Sequence, residues 1–222
     1  MLTLTFADGS TSLVSQGTVE LPRTGIWIAD VHMISQDIPD IGTTVTATLG
    51  SVPMLGIVAV AQLVNGIIDL RVVAGAGGLG NAARPKHYHR PLAVHVLTDL
   101  IRDAGEVLSN DCTPEIIATP LEAWTTLGLP ATTGTMLAAL CTILDCNWRI
   151  MADGTTWIGT ETWPDCPSDF RSITTDGANA AQVVGTDGPA VWPGTLLGGR
   201  QVDFVTHDLD HNRTRILFAE VA

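Results

Sequence analysis

The sequence predicts a mainly β chain interrupted by a small α+β unit. Three observations carry that expectation. Short alternating segments recur between turn residues over residues 1 to about 80. The hydrophobic period then changes to helical spacing near residue 88. From about residue 163 the β-type pattern returns, punctuated by Pro193-Gly194 and Gly198-Gly199. Several short strands with regular turns suggest a closed barrel or a sandwich. The expected units are residues 1–85, 86–162 and 163–222.

In chain order, residues 3–6 read as a strand turned by Asp8-Gly9. Residues 25–31 alternate apolar with small or polar side chains, and residues 43–49 alternate Thr with Val, Ala and Leu. Residues 54–63 and 67–73 are apolar strands flanking Asn65-Gly66, a hairpin signal because both residues tolerate positive φ. After Pro91, the residues Ala93, Val96, Leu97, Leu100, Ile101 and Ala104 form one helical stripe. Pro91 suits a first helical turn and Gly105 a stop. A second helix is expected over 135–145, with Met136, Leu137, Leu140, Ile143 and Leu144 facing the core and Thr132 or Thr133 as its cap. Residues 147–151 and 155–159 should pair about Asp153-Gly154. Further turns are expected at Asp176-Gly177 and Asp187-Gly188-Pro189. The chain then runs strand, turn, strand through Val202 and Phe204 to Ile216, Leu217 and Phe218.

Composition bounds the function. The chain has 222 residues, 45% of them hydrophobic, enough for a real core. Charged residues make up only 15%, and mean hydropathy is +0.29. Apolar surface is therefore expected to be covered by other subunits. The net charge of −12, with 11 basic residues and no run of them, argues against holding nucleic acid by counterion release. Carboxylates lining a passage would instead keep phosphates from sticking. The start of the chain lacks a basic n-region and a long apolar h-region. The stretch 52–64 is broken by Gly56 and Gln62 and is too short to span a bilayer. Cytoplasmic synthesis without membrane insertion is the expectation. Cys112, Cys141, Cys146 and Cys166 form no CxxC pair and read as free thiols in a reducing compartment. The five-residue spacing of Cys141 and Cys146 does not place them on one helix face.

The chemical motifs are weak. Gly75-Ala76-Gly77-Gly78-Leu79-Gly80 partly mimics a dinucleotide fingerprint, but Pro85 follows where a helix should begin, so it reads as a flexible loop. His87 and His89, with His95 further on, lack the partners of a metal set, and His207 and His211 have helical spacing in a strand-like context. No nucleophile motif is present, and Asp30, Asp37 and Asp40 are loop-like and scattered. No catalytic residue, cofactor or metal is therefore expected. Trp27, Trp148 and Trp157 read as core on strands. Trp124, Trp163 and Trp192 read as loop residues, where an indole often anchors an interface or binds a glycan.

Three stretches carry a family resemblance. Residues 56–88 include Arg71-Val72-Val73-Ala74-Gly75-Ala76-Gly77-Gly78-Leu79. Residues 90–105 close on Asp103-Ala104-Gly105, and residues 133–159 contain Trp148-Arg149-Ile150 and Asp153-Gly154-Thr155. Residues 191–214 contain Pro193-Gly194 and Val202-Asp203-Phe204-Val205-Thr206-His207. Their order resembles that of the hub proteins of phage tail baseplates, the hub portion of type VI secretion spikes and the tail-tip proteins of long-tailed phages. The resemblance implies two small β-barrels forming part of a tail-hub ring, with the α+β unit inserted beside them. It implies a homotrimer that joins the hexameric tail tube protein to a trimeric spike or tip protein. DNA would pass through the lumen without being specifically bound. It places the protein in the virion, in the tail or baseplate, after synthesis in the host bacterial cytoplasm. Because 222 residues is short for such a hub, the expectation is that a separate protein supplies the spike. The alternatives are a tail-associated cell-wall hydrolase and a glycan- or receptor-binding tail module.

Overall fold

Alternating burial fixes the amino-terminal strands. The computed structural model describes residues 1–34, 37–166, 173–175, 180–184 and 191–219, with the backbone alone for 173–175 and 181–184. It begins with β1 (Leu2–Phe6), β2 (Thr11–Val14), β3 (Gln16–Pro22) and β4 (Ile28–Met33). Three more strands follow: β5 (Thr44–Leu49), β6 (Val52–Val64) and β7 (Ile67–Ala74). Leu2, Leu4, Val19, Ala29, Val45, Ala47, Met54, Val58, Ile68 and Val72 all face one core, fully buried. Each large one contributes about 1.5–3 kcal/mol by leaving water. Asn65 and Gly66, at φ 53° and 82°, make the expected tight turn between β6 and β7. A bulge between Val58 and Val60 bends β6.

The inserted unit follows the change of period. It holds β8 (Lys86–His89), α1 (Ala93–Asp103), the single turn α2 (Pro114–Ile117), β9 (Ala123–Thr126), α3 (Thr133–Ile143), β10 (Asn147–Ile150) and β11 (Thr156–Gly159). The stripe on α1 is buried as predicted, and α1 packs on α3. Pro91 lies just outside α1, because Leu92 takes the extended cap position. Helix α3 starts two residues earlier than expected. Thr132 caps it and exchanges hydrogen bonds with Thr135, which satisfies two otherwise orphan donors. Ile143 is exposed, and Cys141 is buried in its place. Both helices end in a Schellman turn: Glu106 N–H donates to Ile101 O (2.9 Å) and Cys146 N–H to Cys141 O (3.0 Å). The predicted hairpin forms as β10 against β11.

The last strands are β12 (Ile173–Thr175), β13 (Ala180–Val184), β14 (Leu196–Leu197), β15 (Arg200–Asp208) and β16 (Arg213–Phe218). The turns expected at Asp176-Gly177 and Asp187-Gly188-Pro189 lie outside the described residues. The two β segments share one antiparallel sheet, in the order β12-β13-β16-β15-β3-β4-β7-β6-β5-β1-β2, with β14 added to β15. The seam is β3 against β15, where Thr18, Val19, Glu20, Leu21 and Pro22 pair with Asp208, His207, Thr206, Val205 and Phe204. The sheet curls, and β2 returns to pack on β4. Gly17 permits the close approach of β3 to β4. At φ 118°, a Cβ there would stand 2.2 Å from the Asp30 carbonyl oxygen.

His207 sits at the seam, buried, with Nδ1 2.9 Å from Thr214 Oγ1 and Nε2 without a partner. Burial disfavours the imidazolium and lowers its pKa to about 4. An unfolded histidine titrates near 6.5, so between those pH values the unfolded chain binds the extra proton. Stability should therefore be complete above about pH 6.5 and fall as pH drops through 4, by on the order of 3 kcal/mol. Urea titrations from pH 4 to 8 should show this decline, and His207→Met should flatten it.

Candidate functional site

Three structural units converge on one cleft. Arg23 N–H bonds the Asp203 carbonyl at 2.8 Å, and its side chain reaches the Asp203 carboxylate at 2.7 Å and Asn147 Oδ1 at 2.8 Å. Gly25 exchanges backbone hydrogen bonds with Trp148 and Ile150 on β10, which ties the seam to the inserted unit. Beside this junction lies a recess of about 360 Å³, walled by Pro22, Trp27, Ile150, Met151, Pro164 and Trp192. Arg149 and Glu161 form an ion pair on its floor, and only 5% of the Glu161 side chain is exposed. The Arg149 guanidinium also stacks 4.4 Å from the centre of the Trp157 ring. The Pro193-Gly194 turn rests on that pair. A Cβ at Gly194 would come within 2.7 Å of Glu161 Oε2.

Chemically the recess offers apolar walls and one neutralised ion pair. Among its described lining residues Glu161 is the single carboxylate, and Arg149 holds it. The apolar walls suit the recess to receive an apolar side chain.

The glycine-rich loop is not the flexible segment its composition suggests. Its backbone N–H groups receive a carboxylate from the same chain. Ala76 N–H and Gly78 N–H donate to the two Glu106 oxygens at 2.8 and 3.0 Å. The α1 Schellman turn delivers Glu106 to that place. Burial raises the Glu106 pKa, and the loop's N–H groups oppose the rise. Glycine is required for contact: a Cβ on Gly78 would meet the Ala104 carbonyl at 1.7 Å. An anion nest of the kind that cradles phosphate is here filled internally.

The remaining predicted residues are dispersed. His87 on β8 contacts Thr125 Oγ1 at 2.8 Å, and His211 in the β15–β16 turn contacts Asp208 at 2.8 Å. Among the described residues no group of three His, Cys, Asp or Glu is placed to hold a metal. Asp30 is not loop-like: it lies on β4 and makes a two-point ion pair with Arg71 at 2.6 and 2.8 Å. Trp148 and Trp157 are buried on strands, and Trp27 is buried just before β4. Trp124 lies on β9 rather than in a loop, because β9 pairs with β8. The Trp163 ring lies under Arg23, and Trp192 walls the recess.

A second surface is apolar. At the β6–β7 tip Val60, Leu63, Val64 and Ile67 are exposed, with Ile34 beyond the adjoining end of β4 exposed to 90%. Val64 and Ile67 are register partners and share one face of the hairpin, while Leu63 is exposed on the other.

No family model matches the chain, and no curated protein matches it. Solved structures do. The chain is similar to the 43 kDa tail protein of prophage MuSo2 from Shewanella oneidensis, with TM-score 0.69 and 9% identity over 98% of this chain and 97% of that one. It is also similar to the tail protein from Neisseria meningitidis MC58, with TM-score 0.64 and 12% identity over 99% of this chain and 96% of that one. The chain shares the β-rich fold of these two tail proteins.

Two losses of stability are expected here. Glu106→Ala strips the loop of its acceptor and should cost about 3 kcal/mol, with Glu106→Gln costing less. Glu161→Ala leaves Arg149 against an apolar wall and should cost on the order of 3 kcal/mol. Urea unfolding monitored by tryptophan fluorescence would measure both.

Proposed function

We propose that this chain is a structural protein of a phage tail, a hub or tail-tip subunit acting by assembly rather than by chemistry. The supporting observation is the likeness to two tail proteins over nearly the whole of all three chains. The exposed β6–β7 tip adds a physical reason for assembly, since soluble monomers rarely keep so apolar a tip in water. In this reading residues 1–85 and 163–222 supply the two barrel units of a ring, and residues 86–162 sit beside them. Three copies close the ring, as a rotational interface must if it is not to grow into fibres. One face meets the tail tube and the other a spike or tip protein. The acidic balance of −12 per chain suits a lumen through which DNA slides without binding.

Light scattering on the purified chain should give three times the 23.4 kDa chain mass at micromolar concentration. Leu63→Lys with Val64→Glu should lower that mass to one chain without changing the circular dichroism spectrum. A native protein that stays monomeric at tens of micromolar and shows no ring in electron micrographs would overturn the hub reading.

A further inference from the structure

The end of α3 brings together two thiols that sequence spacing separates. Asp145 takes φ 50°, its N–H donates to Thr142 O at 3.3 Å, and Cys146 N–H donates to Cys141 O at 3.0 Å. In such a helix end the third residue from the last and the second residue beyond the cap lie against each other. Ile101 and Glu106 hold those positions at the end of α1. At α3 both are cysteine. With the N···O separation at 3.0 Å, backbone bond lengths keep the two Cα atoms within about 6.9 Å. Two cysteines become unbridgeable only beyond about 7 Å.

The environment separates their roles. Cys141 is buried, whereas Cys146 is half-buried and open to small reagents. The neighbouring Cys141 thiol favours the Cys146 thiolate, and in turn Cys146 and burial push the Cys141 pKa up. Cys112 is also buried, and its thiol is directed at the Thr156 carbonyl at 3.9 Å.

We propose that Cys141 and Cys146 are an oxidisable pair that closes into a disulfide on meeting a small-molecule disulfide such as oxidised glutathione. The Cys146 thiolate attacks one sulfur of the reagent, forming a mixed disulfide and releasing one thiolate. Cys141 gives its proton to solvent and attacks Cys146 Sγ. The Sγ–Sγ bond forms and the second reagent thiolate leaves. The protein loses two electrons and two protons, and the reagent disulfide becomes two thiols. The product pins the last turn of α3 to the strand that follows it.

The test treats the folded chain with oxidised glutathione, caps remaining thiols with N-ethylmaleimide, and maps peptides by mass after pepsin digestion. The expected result is a Cys141–Cys146 linked peptide two hydrogens lighter than its reduced form, and slower amide exchange in the last turn of α3. Cys112→Ser should leave that link intact, and Cys146→Ser should abolish it. A lasting glutathione adduct on Cys146, a Cys112–Cys141 link, or four capped thiols after treatment would each overturn the proposal.

Discussion

The β3–β15 pairing organises this molecule. It joins strands about 180 residues apart and turns two β segments into one sheet. Each end of the seam is held by polar contacts as well as by the ladder. At one end Arg23 grips Asp203 and Asn147. At the other, Gly17 N–H donates to Asp210 Oδ2 at 3.0 Å, and Leu209 N–H donates to the Gly17 carbonyl at 2.9 Å. Val19, Leu21, Val205 and His207 bury the inner face between those ends. The recess and the inserted unit are both placed relative to this line.

Much of the fold was legible in the sequence because local signals agreed with tertiary demands. Asn65-Gly66 and Gly198-Gly199 turn their hairpins with both residues at positive φ, and Asp153-Gly154 does so with Gly154 alone. The α1 stripe was readable because polar residues flank it cleanly. Strand β3 was missed, and it is the seam. Its segment, Gln16-Gly17-Thr18-Val19-Glu20-Leu21-Pro22, has a glycine at its second position and ends with a proline, both poor local strand signals. It is a strand because β4 and β15 flank it, and no local pattern encodes that. Trp124 was misplaced for the same reason: β8 and β9 form through each other, across α1 and α2.

The candidate site was less legible. Glu106 carries no motif, and its partner loop looked like a failed nucleotide-binding loop. The physical link between them is a helix ending, which throws the residue after Gly105 back toward the sheet. The sequence did contain a usable signal, a carboxylate directly after a helix-stopping glycine. The Arg149–Glu161 pair, separated by a hairpin, had none. Charges in this acidic chain are managed locally. Arg23, Arg71 and Arg149 each hold a carboxylate, and Arg23 and Arg149 also rest on tryptophan faces.

The seam also dictates an order of events during synthesis. Strand β4 can cover one side of β3 as soon as both leave the ribosome. The other side has no partner until residues 204–208 have been made. Nascent chains therefore carry an open hydrogen-bonding edge through most of translation, the condition in which strands capture wrong neighbours. Folding should be slow for a chain of this size, and its yield should respond to chaperone supply more than to the strength of any finished contact.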